Sequence, residues 1–286
     1  MNIDTFGREL GRVLREDPTP DLVTDRVAVQ HVDDVAVVTL SKPEARNALS
    51  LAGWRRLFTV FTELQGRAGL RAVVVRGAGP DALAAGADIT EFPRTRFGAA
   101  AATDYNESIA RALRAVAAVP VPVIASIHGL AVGGGCELAA ACDVRIASTA
   151  ARFGIPIGKL GVTLGYTETS AVARLIGPAE LKYLLFSGEI VTAAEAHRIG
   201  LAQRVVEPDE LVDTVTALVS RIRAQAPVTI GAAKVVTDMA GRPLTDSDAD
   251  LLSRLHIAAY DGPDLREGVA AFSERRAPVF HRKRED

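Results

Sequence analysis

Two glycine-containing turns carry the residues best suited to chemistry. Residues 133–135 are three consecutive glycines between an apolar run ending at Ile127 and an Ala-rich segment, and Gly86 interrupts a second small-residue stretch at 84–89. Glycines where a helix begins let the backbone approach a ligand and leave the first N–H groups of the helix free to donate. Such N–H groups favour an anion, either a phosphate or a carbonyl oxygen that is becoming negative. A tight strand-to-helix turn without a ligand would use the same glycines.

Glu137 lies in the first turn of the helix that these glycines begin. A carboxylate there stabilises the positive end of the helix, which is one explanation for its position. Its neighbours one turn away are small and apolar, namely Gly133, Gly134, Ala140 and Ala141. A carboxylate among them would be desolvated, would bind its proton more tightly and would suit proton transfer. The residues alone leave both explanations open.

Composition excludes several classes of partner. The 286 residues are 48% hydrophobic, and 33 Lys and Arg against 35 Asp and Glu give a net charge of −2, so we expect neither nucleic-acid nor membrane binding. Two cysteines and five histidines without clustered spacing predict no metal site, and the low cysteine content indicates a reducing, cytoplasmic location. The uncharged stretch 115–136 is interrupted by prolines and glycines, which excludes a membrane helix.

Short β-branched runs alternate with Ala- and Leu-rich helical segments, and this alternation predicts an α/β core with buried, largely parallel strands. The predicted strands are 35–40, 72–75, 123–127, 144–147 and 203–206. The predicted helices are 50–66, 102–118, 135–142, 168–176, 178–187 and 192–199, with further helical spacing over 209–240 and 245–258. We divide the chain into an N-terminal helical extension (1–27), a core with the active site (28–207) and a helical C-terminal region (208–286).

Seven short segments form an ordered set of motifs: 42–49, 85–89, 128–138, 142–147, 152–154, 193–201 and 266–280. Their order and spacing resemble those of the crotonase (enoyl-CoA hydratase/isomerase) superfamily over about residues 28–283. The resemblance implies a spiral of ββα units with a helical C-terminal trimerisation region. It also implies an acyl-CoA thioester substrate, no cofactor beyond the coenzyme A of that substrate, and a homotrimer or homohexamer.

The resemblance further implies roles for individual residues. It places an oxyanion hole at the backbone N–H groups of Ala87 and Gly134, and an acid/base at Glu137. It assigns the acyl pocket to Ile157 and Tyr166. Coenzyme A contacts would come from Arg46, Ala48, Ala85, Asp88, Ile89, Thr90, Phe280 and Lys283.

One position departs from the pattern of the superfamily's hydratases, which use two glutamates to place and deprotonate a water. The first glutamate maps to Glu137, but the second position, after the proline of 153–156, is Ile157, which cannot take a proton. Glu168, near the start of the next predicted helix, either caps that helix or reaches the pocket as a second acid.

We therefore expect an acyl-CoA enzyme of the hydratase/isomerase type that stabilises a thioester enolate, with its capacity for hydration in question. Double-bond isomerisation, or decarboxylation of a malonyl-type thioester, fits a single acid/base and is the alternative. A further alternative is a non-catalytic scaffold that binds coenzyme A or RNA, although the net charge opposes RNA binding.

Overall fold

Two sheets form the centre of the chain, which the computed structural model describes at residues 3–240 and 242–280. The strands in these residues are β1 (Val23–Thr24), β2 (Val27–Val32), β3 (Val35–Leu40), β4 (Ala72–Gly77), β5 (Ala82–Ala84), β6 (Val123–Ile127), β7 (Leu130–Val132), β8 (Val144–Ser148), β9 (Arg152–Gly154), β10 (Val191–Thr192) and β11 (Arg204–Val206). The α-helices are α1 (Ile3–Arg15), α2 (Leu51–Gln65), α3 (Phe92–Thr95), α4 (Ala99–Ala117), α5 (Gly134–Ala141), α6 (Tyr166–Ser187), α7 (Ala193–Arg198), α8 (Leu211–Arg223), α9 (Pro227–Met239), α10 (Asp246–Tyr260) and α11 (Pro263–Ser273).

The larger sheet has the order β1-β2-β3-β4-β6-β8-β11. Its strands from β3 to β11 pair in parallel, whereas β1, β2 and β3 are joined as antiparallel neighbours. The five predicted strands correspond to β3, β4, β6, β8 and β11, so the prediction of a parallel core is confirmed. Every residue of β3 and β4 is buried, as is typical of parallel strands covered on both faces.

The smaller sheet, in the order β10-β9-β7-β5, is absent from the sequence-based expectation. Its strands have two or three residues each, too few to show the alternation by which a strand is recognised. Strands β5, β7 and β9 pair in parallel, with Ala82 opposite Leu130 and Ala131 opposite Phe153. Because β5 and β7 precede the two glycine turns, this sheet brings those turns together.

Helices cover both faces of the larger sheet. On one face α1 and α8 pack together through side chains that include Phe6, Leu10, Val215 and Val219. Buried Arg76 of β4 holds the end of α1 by donating to the carbonyl oxygens of Val13 and Glu16 at 2.8 and 2.7 Å. On the other face α2, α4, α5 and part of α6 surround the main apolar cluster.

Most predicted helices are present within three residues of their expected ends. Predicted segments 168–176 and 178–187 form α6, which is interrupted at Gly177, where φ is +77°. The predicted helical stretch 209–240 is divided into α8 and α9 by residues 224–226.

The C-terminal helices contrast with the core. Helix α10 contains no buried residue among those described, and α9 contains one, Met239. Large apolar side chains are exposed along α9 to α11, including Tyr260, Val269 and Phe272. No helix in the described residues combines the length and apolar character needed to cross a membrane.

We expect Gly135→Ala to destabilise the protein, because a Cβ at this position would overlap the carbonyl oxygen of Ala84. Overpacking of this kind typically costs about 1–3 kcal/mol. Gly158→Ala is the matched control, since a Cβ there would meet nothing within 4 Å. Urea unfolding of both variants measures the difference. Equal midpoints for the two variants would contradict the close contact between β5 and α5.

Candidate active site

A pocket beside the two glycine turns brings together groups from distant parts of the chain. Its polar groups are Glu137 of α5, Glu168 of α6, and Arg96 and Asn106 from the α3–α4 region. Its backbone edge is formed by Ala85, Ala87 and 132–134. The remaining lining is mainly apolar and comprises Ile89, Phe92, Ile109, Pro156, Ile157, Leu160, Val162, Thr163, Leu164 and Gly165.

The Ala87 N–H points away from the neighbouring segment at Leu49. Residues Leu49 and Ala87 form a parallel bridge in which the Leu49 N–H donates to Gly86 O and the Asp88 N–H donates to Leu49 O, both at 2.8 Å. Since alternate peptide groups of an extended segment point in opposite directions, the intervening Ala87 N–H points away from Leu49, and Ala87 is one of the residues that line the pocket. No acceptor for it is found within residues 3–240 and 242–280.

The Gly134 N–H is also unpaired in the part of the chain that the structure describes, since Gly134 is the first residue of α5. The turn before it is fixed by the Gly133 N–H, which donates to Gly154 O at 2.8 Å. A Cβ on Gly134 would lie 2.7 Å from Cζ2 of Trp54, so only glycine fits without displacing the indole.

The two turns touch through their backbones. Gly86 has φ of +91°, a conformation that favours glycine, and a Cβ there would lie 2.8 Å from Gly134 N. The oxyanion-hole candidates Ala87 and Gly134 are therefore brought together, on one wall of one pocket.

Glu137 is buried, with only 4% of its surface exposed. Burial, and then the negative charge of Glu168, raise its pKa to about 8, against the opposing effect of Arg96. Its backbone N–H donates to Gly133 O at 3.1 Å, which places the side chain just beyond the glycine turn. The desolvated carboxyl expected from its small neighbours is present.

Glu168 is the third residue of α6 and is 3% exposed. Its side chain turns back over the helix start, where a Cβ on Gly165 would lie 2.5 Å from Glu168 Oε2. Its Oε2 has no hydrogen-bond partner among the described residues. Burial raises the pKa of this group as well. Glu168 lines the pocket, and no capping hydrogen bond at the start of α6 is found in the described residues, so its role as a second acid stays a prediction.

Arg96 and Asn106 are pocket residues that sequence reasoning missed. Arg96 donates from Nη2 to Asn106 Oδ1 at 2.6 Å, and its guanidinium lies 4.8 Å from the ring centroids of both Phe92 and Tyr105. Nothing in the sequence distinguishes Arg96 from the exposed Arg94 two residues earlier, because neither belongs to a motif.

The two residues assigned to the acyl pocket have different outcomes. Ile157 lines the pocket, next to Leu160 on the apolar wall. Tyr166 is not among the residues that line it: it is the first residue of α6 and is 87% exposed.

The residues expected to contact coenzyme A are spread around this region. Ala85 and the exposed Ile89 line the pocket, Arg46 and Thr90 are exposed, and Ala48 is buried. Phe280 lies beside Gly268 of α11, away from the pocket lining, and Lys283 falls outside the described residues.

The Asp88 carboxylate is turned into the protein. Arg26 donates to Asp88 Oδ2 at 2.7 Å, and Thr90 donates to Oδ1 through its backbone N–H and hydroxyl. Burial alone would raise its pKa, but the hydrogen bonds from Thr90 and Arg26 outweigh burial and lower it to about 2. Its side chain therefore holds the loop that carries Ala87.

In residues 3–240 and 242–280, no group of three His, Cys, Asp or Glu side chains is arranged to hold a metal ion. Cys136 and Cys142 are both buried and unbonded to each other, and burial raises the pKa of each thiol to about 12. Neither is a thiolate nucleophile at neutral pH.

The family model and the relatives that match this chain all point to the same family of enzymes. Residues 30–283 match the family model described as enoyl-CoA hydratase/isomerase. A short-chain-enoyl-CoA hydratase of Clostridium acetobutylicum is 34% identical over 252 residues, which are 88% of this chain and 96% of the relative. A probable enoyl-CoA hydratase of Mycobacterium tuberculosis is 36% identical over 259 residues, covering 90% and 98%.

A solved structure gives the same relationship in three dimensions. An enoyl-CoA hydratase/carnithine racemase from Magnetospirillum magneticum superposes with a TM-score of 0.86 at 37% identity, covering 91% of this chain and 97% of that chain. The α/β fold expected from the resemblance, with its C-terminal helices, is confirmed.

We expect Glu137→Gln to stabilise the protein, and increasingly so as the pH rises. The folded state holds the Glu137 proton up to about pH 8, whereas the unfolded state releases it above 4.5. Between these two pKa values the free energy of unfolding of the wild type falls by about 1.4 kcal/mol for each pH unit of increase. Glutamine does not titrate, so the variant lacks this decrease. Urea unfolding at several values between pH 5 and 8, with exposed Glu44→Gln as control, measures it. A stability difference that stays constant with pH would show that Glu137 is solvated.

Proposed function

The chain belongs to the enoyl-CoA hydratase/isomerase family, and from this premise we propose that it adds water across the α,β double bond of an acyl-CoA thioester. One observation carries the proposal: two buried carboxyl groups, Glu137 and Glu168, line the same pocket as the unpaired N–H groups of Ala87 and Gly134. The reaction needs no cofactor, because coenzyme A belongs to the substrate.

The thioester carbonyl oxygen would accept hydrogen bonds from the Ala87 and Gly134 N–H groups. When water attacks the β-carbon, the electrons of the double bond move toward this oxygen, which becomes an enolate. Donors fixed in place before the reaction stabilise that charge without reorganising, and loss of one such donor typically costs about 3 kcal/mol. The contact between the two glycine turns is what holds these donors rigid.

The two carboxyl groups suit the proton transfers of hydration. Burial raises both pKa values, and the negative charge of Glu168 raises that of Glu137 further, to about 8, so we expect Glu137 to hold the proton that the pair needs near neutral pH. The carboxylate takes a proton from water as the C–O bond forms at the β-carbon. The carboxylic acid gives its proton to the α-carbon of the enolate. The pair thus ends with one proton, as it began.

Glu168 supplies what position 157 lacks. Ile157 stands where the resemblance places a second glutamate, and its side chain can only form apolar wall. Glu168 brings a second carboxylate to the pocket from the start of α6, with Oε2 free of any partner in the described residues. A water bound between the two glutamates would satisfy this oxygen.

Isomerisation of a 3-enoyl-CoA is the second candidate, and Ile157 is the observation that favours it. Moving a double bond needs one base that removes a proton from the α-carbon and returns it to the γ-carbon. Glu137 alone could do this, in a pocket whose wall at Ile157 and Leu160 is apolar.

We propose that the coenzyme A moiety lies along the loop edge of the pocket. The exposed side chains of Arg46, Ile89 and Thr90 and the backbone of Ala85 lie on or beside this edge. The family resemblance assigns Phe280 to coenzyme A contacts, and we propose that it contacts the substrate of a neighbouring subunit.

The activity test compares wild type, Glu137→Gln and Glu168→Gln on crotonyl-CoA and 3-hexenoyl-CoA, with mass-spectrometric readout. We expect hydration of crotonyl-CoA to fall about 10²–10⁴-fold in each variant, because each removes a positioned acid or base. Exposed Glu44→Gln is the control and should retain wild-type rates.

Any other outcome of this activity test would indicate a different function. Hydration that survives Glu168→Gln would remove the second carboxylate from the mechanism, and isomerisation that depends on Glu137 alone would then be the activity. No turnover of any thioester, with coenzyme A binding intact, would indicate a non-catalytic scaffold. Conversion of Ile157 to glutamate should restore hydration to Glu168→Gln if position 157 faces the same water.

We also propose that the chain assembles as a trimer or as a dimer of trimers. The exposed apolar side chains of α9 to α11, with Phe272 87% exposed, are what an interface between subunits would cover. An obligate interface of this kind buries on the order of 2,000 Å² or more.

Sedimentation at micromolar concentration tests the assembly. We expect the wild type to sediment as a trimer or hexamer, and Phe272→Asp to sediment as smaller species because it places a charge in the apolar interface. Leu22→Asp, at an exposed apolar residue outside the C-terminal helices, should leave the assembly unchanged. A monomeric wild type would exclude the proposal.

A further inference from the structure

We propose that Arg96 and Asn106 form a carboxylate-binding subsite, so that the pocket selects acyl-CoA thioesters whose acyl group ends in a carboxylate. This inference rests on the proposed function to the extent that the pocket holds the acyl group. The geometry that points to it is a guanidinium and a carboxamide that both line the pocket, with the guanidinium donating a hydrogen bond to the carboxamide oxygen.

The guanidinium of Arg96 is held in a fixed plane. It lies 4.8 Å from the centroids of Phe92 and Tyr105, whose rings stand at 73° to one another. These rings restrict its rotation and exclude water from part of its surface. A preorganised guanidinium loses less entropy when it binds a planar anion, and a carboxylate is the anion whose geometry matches its fork of N–H groups.

Arg96 uses only part of its donor capacity. Its Nη2 donates to Asn106 Oδ1 at 2.6 Å, which is a neutral acceptor. Within residues 3–240 and 242–280 the guanidinium forms no ion pair with a carboxylate, although both Glu137 and Glu168 act on it electrostatically. A half-buried arginine usually has an anionic partner, because burying its charge alone is costly.

Asn106 extends the donor surface. Since its Oδ1 accepts from Arg96, its Nδ2 group must point elsewhere, with two N–H donors that have no acceptor among the described residues. The two side chains therefore offer several N–H groups to one region of the pocket. A hydrocarbon chain in that region would leave these donors desolvated and unpaired, whereas a carboxylate would satisfy them.

The charges in the pocket are compatible with such a substrate. Burial raises the pKa of both Glu137 and Glu168, which disfavours two negative charges in the pocket, and Arg96 adds a positive charge there. A second anion bound at Arg96 would disfavour ionisation of the glutamates further, which leaves the one acidic proton that hydration needs in place.

Binding of saturated thioesters tests the subsite without requiring turnover. Glutaryl-CoA and valeryl-CoA have acyl chains of equal length, ending in a carboxylate and a methyl group respectively. We expect the wild type to bind glutaryl-CoA about tenfold or more tightly than valeryl-CoA by calorimetry, as one charge-assisted contact to a half-buried guanidinium gives. Arg96→Gln should remove this preference while retaining valeryl-CoA binding.

Two further variants test whether the preference depends on the free guanidinium of Arg96 rather than on positive charge in general. Asn106→Asp keeps Arg96 but gives it an internal anion, so it should remove the preference for glutaryl-CoA as Arg96→Gln does. Arg94→Gln removes an exposed positive charge two residues away and should leave the preference unchanged.

A wild type without the preference would overturn the proposal, as would a preference that persists in Arg96→Gln. If Arg96 only balances the charge of the glutamates, Arg96→Gln would slow crotonyl-CoA turnover and shift its pH profile without altering the ratio of the two affinities, which also overturns it. Failure of hydration with an intact glutaryl-CoA preference would refute the proposed function and leave the subsite standing.

Discussion

The close contact between the turns at Gly86 and Gly134 determines where everything else in the site can lie. A Cβ on Gly86 would come within 2.8 Å of Gly134 N, so the two backbones approach as closely as glycine allows. The contact aligns the end of β5 with the start of α5, and it places the Ala87 and Gly134 N–H groups on one wall. Backbone donors have no rotamers, so their position is as precise as the strands and helix that hold them.

Helix α5 is short, and both of its ends are fixed from outside. At its start the Gly133 N–H donates to Gly154 O of β9 at 2.8 Å. At its end buried Arg145 donates to the carbonyl oxygens of Cys142 and Ala139 at 2.6 and 3.2 Å, where a positive charge also favours the helix C-terminus. An eight-residue helix is too short to be stable alone, so these contacts and its apolar packing keep Glu137 in place.

Burying the ionisable side chains of Glu137, Glu168 and Arg96 in one pocket lowers the stability of the folded protein. Glu137 is 4% exposed and Glu168 3%, and neither has a cationic partner within ion-pair distance among the described residues. The larger sheet, with every residue of β3 and β4 buried, supplies the apolar burial that offsets this cost. Groups whose pKa values are raised by burial are useful for proton transfer for the same reason that they destabilise the folded chain.

The sequence by itself determined the elements with a strong local pattern. The β-branched runs of β3, β4, β6, β8 and β11 identify buried strands. The three glycines before Cys136 and Glu137 indicate a helix start, but they leave open whether Glu137 stabilises the helix end or is a desolvated acid. These features depend on neighbouring residues, so a linear pattern records them.

Only the tertiary structure decided which distant residues meet at the pocket. Glu168 faces it while Tyr166, two residues earlier, is 87% exposed, because the direction in which α6 begins is fixed by packing rather than by local propensity. Arg96 and Asn106 meet there because Phe92 and Tyr105 hold the guanidinium beside α4. The smaller sheet is likewise defined by pairing between strands of two or three residues, which have no pattern of their own. Contacts between segments far apart in sequence leave no periodic trace in a single chain, and these contacts place Glu168 and Arg96 at the pocket.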